Sequence, residues 1–154
     1  VKYLLIILVI AAALAPLAHF VPSKRQRQIA RLREFAAVHG LFVEFREIPG
    51  AGLPGVRRAD DDSAAPGGQV IYYGRRWPPS LRERPARVAW LRLGEQWRAV
   101  TGGGPAPAAL GGLPQVVLAA SVDEESCGVY WREAGGEEAV AQIVRALQAW
   151  VEAH

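Results

Sequence analysis

The chain has one cysteine, three histidines and two lysines in 154 residues, and no acidic residue precedes Glu34. Each shortage closes off a class of function. With Cys127 alone no internal disulfide can form, which fits a reducing compartment. So few cysteines and histidines cannot close a zinc site. They also leave Cys127 without a nearby base: His19 falls at the end of an apolar run, His39 beside a basic segment and His154 at the last position. A reactive thiolate needs a base or a cation beside it, so Cys127 reads as a structural thiol. Phosphate-binding signatures are missing too. Gly102-Gly103-Gly104 follows a strand-like run, but Pro107 takes the third glycine place of a dinucleotide fingerprint and no Gly-Lys-Ser/Thr follows. That stretch reads as a connector. Asp60-Asp61-Asp62 lacks the ligand spacing and turn glycine of a calcium loop and reads as a solvated loop. No catalytic constellation stands out, and no cofactor or metal is expected.

The net charge of +3 is an average over two unlike parts. Lys24, Arg25, Arg27, Arg31 and Arg33 form a basic collar, whereas residues after 33 carry 12 basic and 15 acidic side chains, a net of −3. A body of that charge offers no basic face for phosphates, so no nucleic-acid partner is expected. Arginine outnumbers lysine 16 to 2, which reads as the coding bias of a GC-rich bacterial genome.

What is present at the start is grease. Tyr3 to Val21 holds no formal charge. As a helix it would reach about 28 Å at 1.5 Å per residue, close to the ~30 Å of bilayer hydrocarbon. A cleavable signal fits poorly, because Pro16 follows the small-residue site Ala13-Leu14-Ala15. One lysine precedes the run and the collar follows it, so the positive-inside rule places the N-terminus outside and the remainder in the cytoplasm. The expectation is a single-pass anchor over residues 1–22 in a bacterial inner (cytoplasmic) membrane, with membrane lipids as partners. The collar residues are the candidate lipid and topology site.

Residues 23–40 read as a basic juxtamembrane helix. Ser23 suits an N-cap, Gly40 a C′ stop, and Ile29, Leu32, Phe35 and Ala36 share one face. Residues 41–154 read as a cytoplasmic α+β domain. Alternation predicts a strand over Leu41 to Ile48, short strands at Gln69 to Tyr73, Gln115 to Ser121 and Gly128 to Glu133, and a loop, flexible, at about 49–68. Gly94-Glu95 between two alternating runs predicts a type II′ hairpin that pairs Arg92 with Trp97 and Trp90 with Ala99. In the last segment Val140, Ile143, Val144, Leu147, Trp150 and Val151 form one helical stripe. The fold class expected is therefore α+β: an N-terminal transmembrane helix, then a small, mainly antiparallel sheet with an amphipathic C-terminal helix.

Tryptophan and arginine are the side chains most enriched at interface hot spots. Trp90, Arg92 and Trp97 share one hairpin face and form a docking surface if uncovered, or core if the final helix covers them. Trp77, in Trp77-Pro78-Pro79, is a further partner-binding candidate. The opening third, "YLLIILVIAAALAPL", "VPSKRQRQ" and "LREFAAVHGLFVEF", resembles uncharacterised single-pass inner-membrane proteins of pseudomonads and related bacteria over residues 2 to 45. Some of these are described as translocase accessory subunits similar to YajC. The resemblance implies an anchor bearing a small cytoplasmic domain and carries no catalytic residues. The function expected is a membrane-anchored accessory or adaptor protein that presents a protein-binding domain to a membrane-protein partner. The alternatives are an anchored enzyme using carboxylate chemistry and a sensor of anionic lipid acting through the collar.

Overall fold

The computed structural model describes residues 1–18, 22–50 and 70–154. Most of the expected loop, with Asp60-Asp61-Asp62, lies outside the described residues. The chain divides into two compact units, residues 1–30 and 31–154.

In the first unit, helix α1 spans Lys2–Ala18. Its 17 residues measure about 25 Å, several ångströms less than the bilayer hydrocarbon. No helix among the described residues is long and apolar enough to cross a membrane. The transmembrane anchor expected over 1–22 is therefore corrected to a shorter apolar helix. The outside-to-cytoplasm orientation loses the crossing on which it rested. Helix α2, Lys24–Val38, contains the division between the units. A capping box starts it: the Ser23 N–H donates to Gln26 Oε1 (2.8 Å), and the Gln26 N–H donates to Ser23 Oγ (3.2 Å). It ends in a Schellman turn, where Gly40 takes a left-handed φ of 79° and the Leu41 N–H donates to the Ala36 carbonyl.

The second unit is built on a six-stranded, wholly antiparallel sheet. Its strands are β1 (Phe42–Glu44), β2 (Ile71–Arg76), β3 (Val88–Leu93), β4 (Gln96–Thr101), β5 (Val117–Val122) and β6 (Ser126–Trp131). Their order is β1-β2-β6-β5-β3-β4, so β1 and β4 are the edges. The run from Leu41 to Ile48, expected as one strand, pairs over three residues only. Beyond Glu44 the chain leaves the ladder, and Arg46 turns back to Glu44 and Asp123. The β3–β4 hairpin turns on Gly94 (φ 64°) and pairs Arg92 with Trp97 and Trp90 with Ala99.

Helix α3, Gly136–Glu152, lays Val140, Ile143, Leu147 and Trp150 on one face of the sheet. Against them pack Trp90, Val129 and Trp131, with Leu32 and Ala36 of α2 completing the cluster. Glu137 and Glu138 sit in the first turn of α3, where they complement the helix dipole. The opposite face holds a smaller cluster of Tyr72, Leu91, Ala119 and Tyr130 with Ile48 and Val70. Two glycines shape it. A Cβ at Gly128 would collide with the Tyr72 ring, and one at Gly74 with the rings of Phe42 and Tyr72. The missing side chains let these aromatics lie flat on the sheet, which is how a strand interior tolerates glycine.

Candidate functional site

The tryptophan face is mostly covered. Trp90 is buried and meets Trp150 of α3 edge-on, with ring centroids 5.8 Å apart. The α3 stripe must bury itself somewhere, and this face is where it does so. Trp90 therefore belongs to the core and not to a docking surface. Trp97, one strand closer to the edge, is only partly buried. The Arg92 guanidinium lies 5.4 Å from the Trp97 ring centroid, while Trp90 is turned towards Trp150. Arg92 also donates to the carbonyls of Gly94 (3.1 Å), Leu113 (3.3 Å) and Pro114 (2.8 Å), tying the hairpin to the turn before β5. Trp77 is likewise buried: its Nε1–H donates to the Asp123 carbonyl (2.8 Å) and its ring stacks on His154. Neither Trp77 nor Trp90 is open to a partner.

The collar splits in the same way. Lys24, Arg25, Arg27 and Arg31 are exposed. Arg33 instead forms a two-pronged ion pair with Glu133, Nε to Oε1 at 2.6 Å and Nη2 to Oε2 at 2.9 Å. The Tyr73 hydroxyl donates to the same carboxylate at 3.0 Å. The hydrogen bond to Glu133 holds the Arg33 pKa above its ordinary value, and burial pushes the Tyr73 phenol up, with the Glu133 charge adding to it. Arg33 thus ties α2 to the end of β6. Nothing local in the sequence marks this pair, because its partners stand 100 positions apart.

On the sheet face away from α3, a hollow of about 850 Å³ opens beside the β5–β6 turn. Its floor is Ala89, Ser121 and Tyr130, and its walls include Arg46, Arg87 and Thr101. Four acidic residues, Glu47, Asp123, Glu124 and Glu125, are among those that line it. A carboxylate suited to acid–base catalysis has its pKa raised towards the working pH. Asp123 is held the other way. Burial raises its pKa, but donation from the Glu125 and Ser126 amides and from Arg46 outweighs this and leaves it below the ordinary value. It is a fixed anion that closes the β5–β6 turn. Arg46 carries its charge on to Glu44 and stacks over the Tyr72 ring, 4.0 Å from its centroid. Ser121 and Tyr130 share a hydrogen bond at 3.3 Å.

Cys127 lies fully buried on β6, where burial pushes its thiol up to about 12. A thiol in that state is no nucleophile. Among the described residues no cluster of histidine, cysteine and carboxylate side chains could hold a metal ion. Comparison with protein-family models, with curated proteins and with solved structures finds no match for this chain.

Proposed function

We propose that this chain is a non-enzymatic accessory or adaptor protein, held at a membrane surface by its N-terminal helix, that presents the sheet domain to a protein partner. The observation that carries the reading is the state of α1. Every side chain from Tyr3 to Ile10 is large, apolar and between 51% and 73% exposed. A helix apolar on all sides has no polar face to give to water. At about 25 cal/mol per Å² of apolar surface, leaving eight such side chains in water is costly, and lipid is the cover that asks for no specific fit. The reading requires insertion of the helix into the bilayer and no crossing of it. The exposed collar favours an anionic surface by about 1 kcal/mol for each basic residue close to it.

Vesicle flotation of the full chain tests this. The protein is expected to float with neutral vesicles and more completely with anionic ones. Replacing Leu5 and Val9 with Asp should leave it at the bottom of the gradient, and replacing Arg27 and Arg31 with Gln should remove only the preference for anionic lipid. A wild-type chain that stays soluble and monomeric beside vesicles would end the proposal.

A further inference from the structure

We propose that β4 is the docking edge of the sheet, and that it takes an extended partner segment of alternating acidic and apolar residues as a seventh strand. The inference deepens the adaptor reading and rests on it, since it says where the partner binds and what chemistry that partner has.

The edge comes from the topology. β4 is last in the strand order, and its partner is β3 alone. Among the described residues nothing pairs with its outer side. An exposed edge presents a row of backbone N–H and C=O groups, and proteins commonly blunt such edges by keeping them short or by placing proline or lysine there. The other edge, β1, is blunted in that way at three residues. β4 runs for six residues without proline, lysine or a left-handed residue, and its ladder with β3 is regular from Gln96 to Ala99, with a bulge at Val100 beyond. Strand addition uses this kind of surface, with the backbone supplying affinity and alternate side chains supplying specificity.

The side chains along β4 set the partner's pattern. Trp97 and Ala99 face the α3 side and are partly buried against the main core. Arg98 pairs with Leu91 and shares the other face with Val100. A strand laid beside β4 therefore puts one set of its residues next to Trp97 and Ala99, where apolar groups fit, and the alternate set next to exposed Arg98, where acids fit. The wider field agrees. Residues 82–101 hold five arginines and two glutamates, a net of +3, within a body whose net charge is −3. The stretch that contains the hairpin is locally basic, and that charge favours an acidic segment.

The same field argues against a second copy as the occupant. Antiparallel pairing of two β4 strands in one continuous sheet sets residues of the same face opposite each other. One register then places Arg98 against Arg98, a destabilising like-charge pair. Every register brings two hairpins of net positive charge together.

The test uses the full chain in detergent micelles and labelled peptides of alternating glutamate and valine. We expect saturable binding that weakens about tenfold or more in Arg98→Glu and in Arg87→Glu. Both residues are exposed, so neither change disturbs the core. Arg98→Glu should in turn bind a lysine/valine peptide that the wild type ignores. Methylating alternate backbone nitrogens on the partner-facing edge of the glutamate/valine peptide should abolish binding at unchanged charge. The proposal falls if the glutamate/valine peptide does not bind, if the methylated peptide binds equally well, or if Arg98→Glu changes nothing. A dimer that the peptide displaces would make a second copy the natural occupant and would also overturn it. A chain that floats with vesicles yet ignores the peptide keeps the membrane reading and loses this one.

Discussion

Removing the Glu133 carboxylate should loosen the domain more than any other single surface-proximal change, and the size follows from its surroundings. The side chain is 4% exposed and accepts three hydrogen bonds, two from Arg33 and one from Tyr73. Breaking a buried ion pair from one side costs about 3–5 kcal/mol, because a charge is left without a partner. Arg33 keeps 36% of its side-chain surface exposed, so its abandoned guanidinium recovers part of its hydration. Glu133→Ala should therefore cost about 2–3 kcal/mol. The backbone adds a second handle. Glu133 has a φ of 53°, the one positive value at a non-glycine residue among those described. Such a conformation costs a residue with a Cβ about 1–2 kcal/mol, so Glu133→Gly should lose roughly 1 kcal/mol less than Glu133→Ala despite losing the same bonds. Urea unfolding of the full chain in micelles, followed by tryptophan fluorescence, gives both numbers. A double-mutant cycle with Arg33→Ala should return a coupling of about 1–2 kcal/mol. An alanine variant within about 0.5 kcal/mol of wild type, or a cycle that sums to zero, would refute the claim that this pair ties α2 to the sheet.

Other perturbations follow from the same contacts. Gly128→Ala should drive a methyl group into the Tyr72 ring and cost about 1–3 kcal/mol by overpacking, read as a lower midpoint in the same assay. Asp123→Ala removes the acceptor of the Glu125 and Ser126 amides and should cost about 1–2 kcal/mol. Because the folded pKa of Asp123 lies below its unfolded value, its contribution is complete above the unfolded pKa and fades as pH falls through the folded one; the wild type should lose stability over that acid range, and Asp123→Asn should flatten the loss. Cys127, with its thiol near pKa 12, should resist a thiol reagent in the native protein and react at once in urea; its contribution to stability is complete below about pH 9 and declines as pH rises towards 12. Trp90→Ala should destabilise by about 3–5 kcal/mol, whereas Trp97→Ala should cost less and mainly weaken peptide binding at β4.

How much of this was legible beforehand divides along one physical line. Features set by neighbours in sequence could be read. The hairpin register at Gly94-Glu95 follows from turn chemistry and alternation, and the caps at Ser23 and Gly40 follow from side-chain and backbone preferences. The α3 stripe of Val140, Ile143, Leu147 and Trp150 repeats at the helical period, so its burial is written locally. Features set by distant pairs could not be read. Arg33 looked like one more collar charge because its acid lies beyond six intervening strands. Trp90 could be read as core or as docking surface, and Trp77 as a partner-binding candidate, because composition does not say which face a helix will cover. Gly128 is one of 16 glycines, and only the Tyr72 ring gives it a role. The N-terminal run failed differently. Hydropathy reports that a segment is apolar but not where the helix stops, and α1 as described ends at Ala18, two residues after Pro16.

The exposed apolar helix carries the functional account, and amide hydrogen exchange of the full chain with and without anionic vesicles tests it most directly. The account predicts that adding vesicles slows exchange across residues 2–18 by orders of magnitude while the amides of β2, β5, β6 and α3 stay unchanged. Exchange in α1 that vesicles leave untouched would contradict it.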